Sequence, residues 1–369
     1  MSYSYENYLT SDCVNAKNYG VKGDGITDDT NAINSVLTSH RSVYFPNGTY
    51  IFKGTINVPN NTKIVGNGNS TIFKLGYPYN LTIYPWRPSE AGHYTNRPYF
   101  YINSNCVLSN FCIRGDKTEA VDQMHVGVLI HGSNNLCVNI QTFDINYFPD
   151  SVQDITHPFG PIEFCPAFGF FVFGGDNNTL YNCKASNNGY QGIGVENAKY
   201  TTLGNCFIGN SFRCGIQIHR GAKGVIIDSC TIKNVDTFKT SDILFHGASG
   251  EQYAENIIIN NCLTDGLITT ERLINSIASI WGYERNIKIT NCILNSSGIG
   301  IILATAIQEA VSPTEYVTIE NNIIHATKRG IGVDGNKCIV TGNIIEYGTT
   351  DIIITGEDKV ISNNLSFHI

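Results

Sequence analysis

Charge is the scarce ingredient of this sequence. Only 15% of its residues are Asp, Glu, Lys or Arg, against 42% apolar, a balance that supports a buried core and excludes a disordered chain. The formal sum of −7 provides no general basic face, so nucleic acid is not an expected partner. No run approaches the ~18 apolar residues of a membrane span, and a membrane is not an expected partner either. The opening MSYSYENYL has no basic segment followed by an apolar one, so no secretory signal is read and synthesis in the cytoplasm is expected. Twelve cysteines include no C-x-x-C pair. They read as reduced thiols, with neither a metal nor a cofactor expected.

Glycine, asparagine and β-branched residues are abundant instead, and they repeat. Residues 182–198 read NCKASNNGYQGIGVENA, and residues 205–222 read NCFIGNSFRCGIQIHRGA. The unit is an alternating apolar segment, an Asn, a polar turn, then Gly followed by a second alternating segment. The Asn position falls at Asn110, Asn139, Asn182, Asn205, Ser229, Asn261, Asn291, Asn321, Gly342 and Asn363, with Gly66 as a candidate earlier member. A site filled by Asn or Gly predicts a left-handed backbone. The next residue is Cys183, Cys206, Cys230, Cys262 or Cys292, and later Asn322, Asn343 or Asn364, which predicts a stacked column of small buried side chains. Short strands repeating every 20–25 residues read as a parallel β-solenoid. The expected architecture is all-β, one domain over 1–369. The cap and first strands occupy 1–52 and coils 53–369, with long loops near 76–98 and 146–167. Ala32, Ile33, Val36 and Leu37 predict one amphipathic helix as the cap, its start marked by Thr27 and two Asp after a Gly-rich turn.

The opening GVKGDGITDDT, a helix, and then VYFPNGTY resemble the start of the pectate-lyase-like superfamily of right-handed parallel β-helices. That branch includes phage tailspike depolymerases and alginate epimerase modules. The resemblance covers the opening closely and the remainder as a repeat pattern. It implies a polysaccharide or oligosaccharide partner, and a role either associated with a virion or released to act on extracellular polysaccharide. The NTD, GHG and RIK segments of polygalacturonase-type hydrolases are absent, as is the DPH triplet of the epimerases. The chain reads to its end, SNNLSFHI, inside a coil, which makes a homotrimer an expected partner arrangement.

The resemblance also implies that the outward face of the strand after each Gly lines the substrate groove. Alternation there puts His131, Phe173, Glu196, His219 and His246 in one outward column, with Gln217 beside it. Neighbouring coils lie about 4.8 Å apart, so Glu196 is expected beside His219, and His219 beside His246. Arg213, Arg220 and Lys223 form a small basic cluster suited to a sugar acid, and Tyr190 precedes its strand as a proton donor or stacking ring. The first long loop carries Trp86 among several tyrosines. The second carries Asp154, His157 and Glu163, with Asp176 soon after. On a solenoid these side chains can equally be solvated faces or loop packing.

Elimination needs a base, a donor and a cation for the developing charge, roles open to Glu196, His219, His246, Tyr190 and Arg220. The other named residues would bind substrate. A glycoside hydrolase or fructan-type transferase would need a second carboxyl about 5–9.5 Å from the first, supplied by a loop acid. The expectation is a polysaccharide-cleaving enzyme, elimination preferred, with a non-catalytic glycan-binding tail or adhesin module as the alternative.

Overall fold

The computed structural model describes residues 12–85, 95–115, 124–145, 167–211, 214–233, 241–246, 254–266, 275–279, 284–303 and 314–369. The alternating apolar segments form short parallel strands that wind into the coils of a right-handed parallel β-helix. The contacts divide the chain into two units, 1–171 with 178–190, and 172–177 with 191–369.

In the first unit the helix spans Thr30–Ser39 and buries Thr30, Ile33, Val36 and Leu37. Asn34 ties it to the strand Ile56–Val58: its amide donates to the Thr55 carbonyl (3.0 Å) and its side-chain oxygen accepts from the Asn57 N–H (2.8 Å). The expected Gly-rich turn before it is partly a strand, Asp24–Asp28. Asp29 caps the helix by position but spends its carboxylate on the Lys22 and Gly23 N–H groups. One sheet contains Ile56–Val58, Thr95–Ile102 and Met124–Ile130, stacking Ile56 on Phe100 and Phe100 on Val128. Inside, Phe73 meets the rings of Phe45, Phe100 and Phe111 at 5.0–5.1 Å, edge-on.

In the second unit each coil has three strands, as in Gln191–Glu196, Thr202–Gly204 and Phe207–Gly209. The first strand of every coil joins one sheet, here called the face sheet. Its register stacks Ile193, Ile216, Ile243, Ile277, Ile301, Ile331 and Ile352. Ile193, Ile216, Ile243, Ile301 and Ile331 are each fully buried, and each contributes roughly 2 kcal/mol of apolar burial.

The Asn column is left-handed throughout: Asn110, Asn139 and Asn182 in the first unit, then Asn205, Ser229, Asn261, Asn291, Asn321, Gly342 and Asn363 in the second. Gly66 is in register with this column, its N–H donating to the Ser109 carbonyl, but its backbone is not left-handed. The following column is buried, from Cys183 through Cys292 to Asn322 and Asn343, and no disulfide joins the described cysteines. Where thiols give way to amides, the side chains form a ladder. Asn322 Nδ2 donates to Asn343 Oδ1 (3.0 Å), and Asn343 Nδ2 to Asn364 Oδ1 (2.9 Å).

A second left-handed column runs through the corner after the face sheet. It contains Asn61, Asn105 and Asn134 in the first unit. In the second it contains Asn177, Tyr200, Gly224, Asn256, Asn286, Tyr316, Lys337 and Asp358. The sequence pattern hid it because Tyr and Lys occupy positions that favour Asn or Gly.

Candidate functional site

The face sheet of the second unit brings the central candidates together. Gly194 pairs with Gln217, Gln217 with Leu244, and His219 with His246. Glu196 Oε2 lies 3.3 Å from His219 Nδ1, which is the expected neighbour relation between successive coils. Gly174 N–H donates to the Glu196 carbonyl (2.9 Å), which sets Phe173 in register with Glu196, its side chain half-buried. His246 ends the strand Ser241–His246; its side chain lies outside the described residues.

The face is covered rather than open. Glu196 and Gln217 are each 1% exposed and His219 8%, which corrects the expectation of a solvent-open groove. The covering reaches further along the same face, where Cys214 and Leu244 are buried together and Ile302 packs on them. Cys214 is buried with Leu244 in this cluster, in register with Gln191 of the preceding strand. Simple alternation from the Gly would have turned Cys214 the other way.

A buried carboxylate beside Nδ1 fixes a neutral imidazole with its proton on that nitrogen, and leaves Nε2 as the acceptor. The same carboxylate stabilises the imidazolium when Nε2 takes a proton. A carboxylate–imidazole pair of this kind can exchange a proton at the ring nitrogen that faces away from the carboxylate.

The basic residues follow in the corner. Arg220 succeeds His219, and its carbonyl accepts the Asn197 N–H (2.9 Å). Asp176, Lys199, Lys223 and Glu255 are bridged in one ladder, with Lys223 Nζ 3.2 Å from Glu255. Asp176 and Lys223 thus lie in one corner ladder beside the face column. Arg213, Trp86, Asp154, His157 and Glu163 lie outside the described residues.

Two candidates belong to the first unit. His131 is exposed, its ring 5.7 Å from Tyr101. Tyr190 sets its ring edge-on to Phe168 at 5.8 Å. Of the loop tyrosines, Tyr84 stacks on Tyr101 at 4.1 Å and donates to Asn57 Oδ1 (2.9 Å). Tyr79 reaches His125, so the described part of this loop packs onto its coils.

His125 was not singled out in the sequence. It is 2% exposed, with Tyr99 Oη 3.0 Å from Nδ1 and Tyr79 Oη 3.3 Å from Nε2. Burial first, and Arg97 second, push its pKa down to about 3, so it is a neutral imidazole held between two phenols. The signal available was a lone His two residues before the Gly, alongside a tyrosine-rich segment.

Comparison with known proteins follows this geometry. The family model described as "Rhamnogalacturonase A/epimerase, pectate lyase-like" matches residues 13–239, more than half of the chain. The chain is 27% identical over 269 residues to the pre-neck appendage protein of Bacillus phage phi29, covering 67% of this chain and 29% of that protein. It is 26% identical over 275 residues to the corresponding protein of Bacillus phage B103, covering 69% and 29%. It thus spans under a third of the length of these relatives. Among solved structures it resembles the A-module of mannuronan C-5 epimerase AlgE6 of Azotobacter vinelandii, with TM-score 0.67, 14% identity, and 96% and 97% of the two chains covered. The N-terminal fragment of the phi29 gene product 12 gives TM-score 0.62 at 17% identity, covering 95% and 67%. At these identities the structural likeness is one of fold.

Proposed function

Since the chain belongs to the Rhamnogalacturonase A/epimerase, pectate lyase-like family, we propose that it binds and cleaves an acidic polysaccharide along the face sheet of its second unit, by elimination. The observation that carries this reading is the buried Glu196–His219 pair, 3.3 Å apart, on the face that follows each Gly. In elimination, His219 Nε2 removes the proton alpha to the sugar carboxylate, and the electron pair moves to expel the glycosidic oxygen. Glu196 holds the imidazolium so formed, and Arg220 supplies positive charge for the enolate-like intermediate. His246, in register with His219, would protonate the leaving oxygen.

Hydrolysis would need a second carboxyl close to the first, and among the described residues the other carboxyl at the register of Glu196 is Asp334, five coils further on and paired with Thr355. A second reading, a glycan-binding appendage that does not cleave, is favoured by the phage appendage relatives and by the covered state of the face. A panel of acidic and neutral polysaccharides separates the readings. New reducing ends together with the ultraviolet absorbance of unsaturated sugars support elimination. Reducing ends alone would replace it with hydrolysis, and binding without either product would support the appendage reading.

A further inference from the structure

We infer that Tyr200 is a stacking platform for a sugar of an acidic glycan, set in the corner that follows the Glu196 and His219 strand ends. The inference rests on the glycan-directed reading above and adds to it a residue and a place. Tyr200 has φ +56°, a conformation that a bulky residue adopts only against a steric penalty. The neighbouring positions of its column, Asn177, Gly224, Asn256 and Asn286, are of the types that tolerate it.

Tyr316 shows what compensation looks like at such a position. It has φ +58°, but Lys337 Nζ donates to its hydroxyl (2.8 Å) and sits 4.6 Å from the ring centroid, while the Arg285 guanidinium lies at 5.5 Å. Its ring is occupied by cations of its own fold. Among the described residues, no ring or cation sits on Tyr200, which is 64% exposed.

The ring is nevertheless placed. A Cβ on Gly224 would stand 2.8 Å from Tyr200 Cδ1 and 3.2 Å from Cε1, so the ring is seated over a backbone that only glycine leaves bare. One edge is bedded and the remainder faces outward, which suits stacking against a pyranose. Lys199 adjoins it in sequence and is exposed, and Lys223 is bridged to Lys199 across the coils. The Lys223 ammonium is held by Glu255 at 3.2 Å, so the cation available in this corner is the exposed Lys199, which suits a sugar that carries a carboxylate. An outlier without internal compensation at a corner next to a reactive pair points to a ligand role.

The test is calorimetric titration of short oligogalacturonate, oligomannuronate and cello-oligosaccharide into a Glu196→Gln background, which prevents consumption of the probe. Tyr200→Asn should weaken binding of an acidic probe roughly tenfold, with the melting temperature unchanged or raised because Asn relieves the backbone. Tyr316→Asn should leave affinity unaltered. The inference is overturned if Tyr200→Asn binds as tightly as its parent, if it only lowers the melting temperature, if the cello-oligosaccharide binds as well as the uronates, or if no probe binds. Failure is distinguishable from failure of the parent reading. Turnover that depends on Glu196 with binding indifferent to Tyr200 rejects only the platform. Tyr200-dependent binding without turnover by the wild type rejects only the cleavage.

Discussion

Glu196 Oε2 and His219 Nδ1 meet at 3.3 Å across two successive coils, although 23 residues separate them in the chain. The solenoid makes this contact by register alone, since residues at equal positions of neighbouring coils must adjoin. One repeat carries the carboxylate and the next the imidazole. Glu196→Gln should keep the shape of the pair but lose the charge that steadies the imidazolium. We expect turnover to fall by about 10²–10⁴-fold, with melting temperature held or raised because a buried charge is removed. Steady-state rates alongside thermal melts check this.

The buried His125 makes an acid-sensitivity prediction for the first unit. Its pKa is about 3 in the fold, against about 6.5 for an ordinary histidine. On acidification the unfolded chain takes up this proton first. The contribution of His125 is therefore intact above about pH 6.5 and is lost progressively as the pH falls from there towards 3, at up to ~1.4 kcal/mol per pH unit. His125→Gln should flatten the fall of stability with pH over that window, measured by denaturant unfolding at several pH values. Equal slopes in the two proteins would contradict the assignment.

The left-handed column predicts an asymmetry between glycine and alanine. Asn291→Gly should change stability by a few tenths of a kcal/mol, and Asn291→Ala should cost ~1–2 kcal/mol, because φ there is +56°. Gly342→Ala should be worse still, since the added methyl would collide with the Asn321 side-chain oxygen. Urea midpoints of the three variants check the order.

The amide ladder predicts a larger loss. Asn343 accepts from Asn322, and donates to Asn364 and to the Ile319 carbonyl, while fully buried. Asn343→Ala leaves these partners unpaired in the interior and should cost ~3 kcal/mol. The substitution Cys262→Ala, one filler for another, should cost about 1 kcal/mol or less, and comparative urea unfolding separates the two cases.

Much of the fold was legible because a solenoid repeats its constraints. Each coil again needed a left-handed residue at Asn205 or Asn291, a small filler at Cys230 or Cys262, and an inward isoleucine at Ile216 or Ile243. Ten positions of one column were readable in this way. The second column escaped because Tyr200, Tyr316 and Lys337 disguise it. Alternation located Glu196 against His219, since both follow their Gly by an equal count, but it could not report burial. Exposure depends on what lies over a strand, and one strand's pattern carries no record of that. The same limit hid the ion pair of Lys223 with Glu255, a residue 32 positions onward. His125 was missed although it lies in the strand Met124–Ile130 in register with Arg97, because its phenol partners, Tyr79 and Tyr99, come from other segments of the chain.

The most direct test is the initial rate of cleavage of an acidic polysaccharide by wild type, Glu196→Gln and His219→Ala, read at once by unsaturated-sugar absorbance and by reducing ends. The account predicts that both signals rise in step with wild type and drop at least 10²-fold in each variant while the variants stay folded. Cleavage that proceeds equally in all three proteins would contradict it.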